Sequence, residues 1–245
     1  MRRRLRRAPL LGAALLLAAP AAWAGPPYVT DDPQPTDVGH WEIYNFVDGD
    51  HTPGVTAGEA GFDINYGAVK DVQLTLVLPA GYVDAGSFDV GGGQIEAAAK
   101  FKLLHQDGFG VDLAVFPRAF IPTSGGQFGP AHVNVLLPVW AEKDFGPWQV
   151  FGGGGYQINP GPGQRSFWTG GVAVTRDIAK QLNLGAEVYA RTADAVDGRA
   201  FVGVNLGGAW RLTPHWSLLA AGGPGVENAR TEGQYDFYVA LKADY

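Results

Sequence analysis

Hydrophobic and polar residues alternate along several long stretches of this chain. The alternation is clearest at residues 72–78, 94–103, 182–191 and 235–245. A period of two predicts a β-strand that has one apolar and one polar face. Strands of globular sheets are commonly about five or six residues long, whereas a tilted strand that crosses a membrane needs about 9–11. The length of the alternating stretches therefore favours membrane-crossing strands.

The connections between these stretches differ in length. Short turns are predicted at residues 69–71, 105–108, 143–147, 177–181 and 213–215. Longer segments rich in Gly, Pro, Asp and Ser lie at 49–58, 83–93, 121–131, 159–165, 193–199 and 222–233. Short turns on one side and longer loops on the other are typical of outer-membrane barrels. The pattern predicts twelve strands, with ten as the alternative count: 40–48, 59–68, 72–82, 94–104, 109–120, 132–142, 148–158, 166–176, 182–192, 200–211, 215–222 and 234–245.

The first residues predict export. Five arginines between positions 2 and 7 precede an apolar run, Leu10 to Ala19, and the small residues Ala22 and Ala24 follow. This order is typical of a cleaved signal peptide, and the apolar run is too short for the alternative, an anchor helix. We expect a signal peptide at 1–24, an amino-terminal segment at 25–39 and a barrel at 40–245. The predicted fold is all-β, a transmembrane antiparallel up-and-down β-barrel.

Aromatic residues occur at both ends of the predicted strands, where a membrane interface favours them. We interpret six of them as interface aromatics: Trp41, Phe109, Trp140, Trp148, Trp210 and Trp216. The alternative is that they form the core of a soluble barrel or sandwich.

The carboxyl-terminal strand ends on an aromatic residue, and apolar residues occupy every second position before it. Such a strand is expected to be recognised by the barrel assembly machinery. The predicted signal consists of Tyr235, Phe237, Val239, Leu241 and Tyr245.

Composition excludes several classes of function. Without residues 1–24 the chain has 13 basic and 24 acidic residues, which argues against a nucleic-acid partner. The chain has no cysteine, so thiol catalysis and cysteine-bound metals are excluded. Its mean hydropathy of −0.03 does not separate a soluble protein from a barrel, because opposite faces of barrel strands cancel in the average.

Strand parity predicts which polar residues face an enclosed lumen. The lumen-lining candidates are Glu42, Glu96, Lys100, Lys102, Asp112, Arg118, Glu187, Tyr189 and Arg191. Their mixed signs are compatible with ion pairs that close the lumen and equally with a polar path through it. A barrel of about twelve strands encloses more space than a side-chain-filled barrel of eight.

The remaining motifs do not predict a catalytic site or a nucleotide-binding site. His215 and Ser217 suggest a nucleophile and a base, but no acid lies nearby in the sequence to orient the histidine. The glycine runs at 91–93 and 152–155 lack the Lys-Ser/Thr and the following helix of a phosphate loop. Gly203, Gly207 and Gly208 lie within a predicted strand, where glycine permits the curvature of a barrel. We predict no catalytic residue, no metal site and no cofactor.

Residues 25–33 have the sequence GPPYVTDDP, and Gly39-His40-Trp41-Glu42 follows. This resembles the start of the outer-membrane transporters of the "MetA-pathway of phenol degradation" type, whose members begin with P-[FY]-V-T-D-D-P and then G-H-W-E. The resemblance covers about fifteen residues and implies a barrel associated with uptake of aromatic or other hydrophobic compounds. The matching residues Thr30, Asp31, Asp32 and Pro33 belong either to a periplasmic lead-in or to a plug inside the lumen. Two carboxylates are too few to predict a Ca²⁺ site.

These patterns predict a passive, porin-like channel in the outer membrane of a Gram-negative bacterium, reached through the periplasm. The expected partners are outer-membrane lipid, the assembly machinery and a small hydrophobic or aromatic solute. A structural or adhesion-type barrel, an outer-membrane hydrolase and a soluble periplasmic ligand-binding barrel are the alternatives.

Overall fold

The computed structural model describes residues 26–124, 126 and 128–245; the predicted signal peptide lies outside these residues. The elements are β1 (Trp41–Thr52), β2 (Val55–Val69), β3 (Val72–Asp84), β4 (Phe88–Gly92), β5 (Gln94–Leu104), α1 (Gln106–Phe109), β6 (Asp112–Val115), β7 (Arg118–Pro122), β8 (Asn134–Phe145), β9 (Trp148–Ile158), β10 (Phe167–Ala179), β11 (Leu182–Arg191), β12 (Phe201–Thr213), β13 (Trp216–Glu227), α2 (Ala229–Glu232) and β14 (Tyr235–Asp244). Among the described residues, no helix is long and apolar enough to cross a membrane.

The sheet closes on itself because the first strand pairs with the last. β1 and β14 are antiparallel, with Glu42 opposite Asp244 at one end and His51 opposite Tyr235 at the other. The Trp41 amide donates a hydrogen bond of 2.8 Å to the Tyr245 carbonyl, and the Tyr245 amide returns one of 3.0 Å. Closure pairs the backbone groups that a free sheet edge would leave exposed.

The barrel wall has twelve strands, as the sequence predicts, although fourteen strand segments are present. β6 and β7 form one interrupted wall strand, because both pair with β5 on one side and β8 on the other. The interruption falls at Phe116 and Pro117, where proline has no amide to donate to the ladder. β4 and β5 likewise form one wall strand with a break at Gly93, because both pair with successive parts of β3.

Several predicted loops are shorter than expected. Most of the predicted loop 49–58 is strand, because β1 and β2 continue to a tight turn at Pro53 and Gly54, whose φ is +85°. The predicted loop 83–93 contains β4, and the predicted loop 222–233 contains the end of β13 and α2. Glycine and polar residues weaken strands without preventing antiparallel pairing. Composition therefore marks where the apolar alternation stops, which is not where the backbone pairing stops.

The two faces of the wall have opposite character. Large apolar side chains are exposed on the outer face, among them Leu74, Leu76, Leu78, Val172, Val174, Val188, Leu206, Val239 and Leu241. Charged and amide side chains are buried on the inner face, among them Glu96, Lys100, Asn134, Glu187 and Asn205. A soluble protein buries the first group and exposes the second. The arrangement is that of a barrel whose outer face meets hydrocarbon.

Five of the six predicted interface aromatics are exposed on the barrel surface, and the sixth, Trp140, is buried. Trp41, Trp148, Trp210 and Trp216 are exposed near the ends of strands, beside the short turns. Phe109 is also exposed, but it lies in α1 and not at the start of a strand, because β6 begins only at Asp112.

The interface assignment is wrong for Trp140. Its side chain is 4% exposed and points inward, since it shares the parity of Glu142 and Asn134 on β8. The ring packs against Gly153, where an added Cβ would lie 3.0 Å from Trp140 Cε3.

The carboxyl-terminal strand keeps the predicted alternation. Tyr235, Val239, Leu241 and Tyr245 are exposed on the outer face. Phe237 is half-buried because its ring covers Gly49 of β1, where an added Cβ would lie 3.0 Å from Phe237 Cζ. Recognition of this strand by the assembly machinery stays a prediction.

An arginine on the outer face is expected to destabilise the barrel according to its depth. Leu206 lies near the middle of β12, so Leu206→Arg should lower the free energy of unfolding in lipid vesicles by about 2–4 kcal/mol. Leu212→Arg is the matched control, because Leu212 lies on the same face near a strand end, where the cost is about 0–1 kcal/mol. Denaturant titration measures both values, and equal effects at the two positions would contradict the membrane orientation.

Candidate functional site

The enclosed lumen is the candidate site. All nine predicted lumen residues lie on the inner face: Glu96, Lys100, Asp112 and Glu187 are buried, and Glu42, Lys102, Arg118, Tyr189 and Arg191 are half-buried. We call the end with β1's first residue and the short turns the short-turn rim, and the opposite end the loop rim.

The amino-terminal segment, residues 26–38, runs inside the lumen from the short-turn rim. Val38 forms a bridge with Gly67, and the Gly39 amide donates to the Gly67 carbonyl at 2.7 Å. Further in, the amide and hydroxyl of Thr36 donate to Gln73 Oε1 at 2.8 and 3.1 Å. The segment is therefore fixed to the wall where it enters.

Gln34 connects three wall strands, β5, β6 and β8, near the short-turn rim. Its amide nitrogen donates to Asp112 at 3.0 Å and also to Glu142. Its amide oxygen accepts from Lys102 Nζ at 2.6 Å, and Lys102 is in turn 2.9 Å from Asp112. The neutral side chain thus joins groups of both charges.

Asp31 and Asp32 of the amino-terminal segment bind a lysine of the wall. Lys100 Nζ lies 3.0 Å from Asp31 Oδ1 and 3.8 Å from Asp32 Oδ1, and Lys100 and Asp32 are only 2% and 1% exposed. Asp32 Oδ1 also accepts a hydrogen bond of 2.7 Å from the backbone N–H of Gln34. This bond tightens the turn around the buried Pro33. Both carboxylates are directed at an ammonium group. Within the described ranges, no cluster of three or more potential ligands could hold a metal ion.

Glu187 holds the next residues of the segment by their backbone. Its carboxylate accepts the amides of Val29 and Thr30 at 2.9 and 2.8 Å, together with Asn205 Nδ2 at 3.0 Å. Glu187 is 2% exposed, and within the described part of the chain no cation lies within 4 Å of it. Hydrogen bonds from N–H groups to an ionised carboxylate are about twice as strong as neutral ones.

The end of the described segment packs against β9, β10 and β11. The ring centroids of Tyr28 and Phe151 are 6.2 Å apart. Burial, and then the Glu187 carboxylate, raise the pKa of the Tyr28 phenol above its ordinary value, so this side chain is neutral. A Cβ on Gly171 would lie 2.2 Å from Thr30 Oγ1, so the wall needs glycine there to admit the segment.

Three further inward-facing cations are paired with carboxylates of the wall and its loops. Arg118 forms two hydrogen bonds of 2.7 Å with Glu96. Lys242 lies 3.0 Å from Glu42 and 2.9 Å from Asp244. Arg191 contacts two loop carboxylates, Asp194 at 2.9 Å and Glu232 at 3.3 Å.

The amino-terminal segment divides the space in the lumen. A polar cavity of about 100 Å³ lies beside the segment, between Glu42, Asn65 and Lys100. A larger cavity of about 510 Å³ opens towards the loop rim, and Pro26 to Val29 lie at its base. We call this larger cavity the outer vestibule. The lumen therefore combines a wide outer part with a narrow inner part.

Solved structures with a similar fold are known. An outer membrane channel from Pseudomonas putida F1 superposes with a TM-score of 0.72 and 15% identity, over 87% of this chain and 98% of that one. The NanC porin superposes with a TM-score of 0.57 and 8% identity, over 83% of this chain and 98% of that one. The chain has the fold of outer-membrane channels. No protein-family model and no curated protein sequence matches it.

His215 and Ser217 do not assemble into a base and a nucleophile, in agreement with the prediction that neither is catalytic. The His215 ring stacks on Tyr245 with centroids 6.3 Å apart, and its Nδ1 lies 3.0 Å from the Asp244 carbonyl oxygen. Ser217 is buried on the inner face of β13. A serine nucleophile requires a base within hydrogen-bond reach, and the histidine is directed elsewhere.

Sequence reasoning missed part of the site. Gln34 and Thr36 were not predicted to bind the wall, because nothing in an irregular segment shows which way its side chains point. Asp50 was assigned to a loop, although it continues the inward parity of Phe46 and Asp48 on β1. Extending the alternation past the apolar residues would have found it.

Truncation of Glu187 is expected to loosen the amino-terminal segment. Glu187→Ala removes the acceptor of the Val29 and Thr30 amides, and hydrogen bonds to a charged group contribute about 1.5–3 kcal/mol. The two amides should therefore exchange with deuterium ~10-fold faster or more. Glu227→Ala, at an exposed strand end, is the control and should change nothing. Unchanged exchange in Glu187→Ala would show that other contacts hold the segment.

Proposed function

We propose that this protein is a passive channel of the bacterial outer membrane, through which small solutes diffuse along a lumen narrowed by residues 26–38. The apolar outer face supports a location in lipid, and the similarity to solved outer-membrane channels supports the class of protein. The proposal includes no enzymatic activity.

The division of the lumen is the observation that carries this proposal. A barrel with a purely structural role has no need of internal space, whereas this one has an outer vestibule of about 510 Å³. Below the vestibule the segment leaves about 100 Å³ of polar space, enough for a file of water molecules or a small solute. A wide opening followed by a constriction suits slow, size-limited diffusion.

We propose small hydrophobic or aromatic compounds as the solutes. Aromatic side chains line the outer vestibule: Phe46, Phe120, Tyr189, Phe201 and Tyr238. Ring faces bind apolar and aromatic molecules by stacking and edge contacts. The resemblance of residues 25–42 to transporters of the "MetA-pathway of phenol degradation" type supports the same class of compound.

Deletion of residues 26–36 is expected to widen the conducting path. In planar lipid bilayers the purified protein should give small discrete current steps, and the deletion variant should give steps several-fold larger, because the constriction is removed. Heat-modifiable mobility on unboiled gels checks that the variant still forms a barrel. Currents at the background level for both proteins would overturn the channel proposal.

Loss of the gene is expected to slow growth when an aromatic carbon source is scarce. Passive flux is proportional to the concentration gradient, so the effect should appear at limiting phenol or toluene and vanish at high concentration. Growth on glucose is the control. Equal growth of the deletion and complemented strains at limiting phenol would contradict this choice of solute.

A further inference from the structure

The outer vestibule has an excess of negative charge. Seven carboxylates and two basic residues line it: Asp48, Asp50, Glu59, Asp63, Glu96, Glu232, Asp236, Arg118 and Arg191. Both arginines are already engaged, Arg118 with Glu96 and Arg191 with Glu232 and a loop aspartate.

Five carboxylates of the vestibule therefore have no ion-pair partner within 4 Å among the described residues: Asp48, Asp50, Glu59, Asp63 and Asp236. Some of them accept hydrogen bonds from neutral donors. The backbone N–H of Glu59 donates to Asp48 Oδ1 at 2.9 Å, and Asn205 Nδ2 donates to Asp236 Oδ2 at 2.7 Å. These neutral donors orient the carboxylates and add no compensating positive charge. Charges of one sign along a low-dielectric wall focus the field and concentrate counter-ions.

Two polar atoms of this wall also lack a partner. The second carboxylate oxygen of Asp236 and the hydroxyl of Tyr238 are buried, and neither has a hydrogen-bond partner among the described residues. Both residues lie on the inner face of β14 and line the outer vestibule. Unpaired buried polar atoms are costly, and both of these can accept a hydrogen bond from an N–H group.

The aromatic surfaces are arranged next to these carboxylates. Phe46 and Tyr238 stack with centroids 6.1 Å apart and an interplanar angle of 9°, and Tyr189 and Phe201 pack 5.7 Å apart. The Arg191 guanidinium already lies 5.5 Å from the Phe201 ring centre. Aromatic faces attract cations at this range. Carboxylates and ring faces together are the groups that recognise an organic ammonium ion.

We propose that the outer vestibule binds small organic cations, in which an ammonium group is attached to an aromatic or apolar body. This deepens the proposed channel function by assigning a charge to the preferred solute. The ammonium lies among the carboxylates of β1 and β14, and the body packs against the ring faces. The part of the wall that the structure describes has no compact group of three or more metal ligands, which favours an organic cation over a metal ion.

Three probes that share a phenyl ring on a two-carbon chain and differ in charge test the proposal: 2-phenylethylamine, 2-phenylethanol and phenylacetate. Titration calorimetry of the mature protein in detergent should show ~10-fold tighter binding of the amine than of the alcohol, and the weakest binding for the acid. Equal binding of amine and alcohol, or tightest binding of phenylacetate, would overturn the proposal.

The double substitution Asp50→Asn with Asp236→Asn tests the location. It should weaken amine binding ~10-fold and leave alcohol binding within about twofold. Asp89→Asn makes the same chemical change on the exposed β4 and should leave amine binding unaltered. If the double variant does not form a heat-modifiable barrel, the single variant Asp50→Asn is tested for amine binding in its place. Undiminished amine binding in a folded variant would place the cation elsewhere and refute the assignment.

The binding and conductance experiments fail independently. Selective amine binding without bilayer currents would keep the cation site and remove the channel. Currents together with unselective binding of the three probes would keep the channel and remove the cation site.

Discussion

Antiparallel pairing of β1 with β14 is the interaction on which the other features depend. In hydrocarbon each unpaired backbone N–H or C=O costs several kcal/mol, so a sheet is stable there only when it has no free edge. The pairing of β1 with β14, which extends from Glu42 to His51 on β1, closes the barrel and thereby separates the side chains into two sets. One set meets lipid and is apolar. The other is enclosed, and every charge in it needs a partner inside the barrel or water.

The enclosed set is completed by a segment that is not part of the wall. Twelve strands enclose more space than their own inward side chains fill. Residues 26–38 occupy part of the remainder and bring both carboxylates for Lys100 and backbone amides for Glu187. The Thr-Asp-Asp-Pro motif is thereby explained chemically: its aspartates match a buried lysine, and its first amide matches a buried glutamate.

The alternation in the sequence was sufficient to predict the twelve strands, their approximate positions and the inward direction of nine polar residues. It failed for Trp140, because the residue type was given more weight than its place on β8. It failed for Phe109, because a turn of helix occupies the expected start of a strand. The position of the amino-terminal segment was left open for a physical reason. Irregular chain has no period, so its contacts with the wall become visible only in three dimensions.

The contacts of the amino-terminal segment also constrain the order of assembly. Thr30 and Glu187 are separated by 157 positions, and the wall residues that hold the segment belong to strands from β2 to β11. The earliest part of the described chain therefore reaches its final place only when most of the later strands are present. Contacts between residues so distant in sequence are slow to form. A barrel that sealed before the segment was inside would have to admit it through the short-turn rim, so the simplest route is for the wall to close around it.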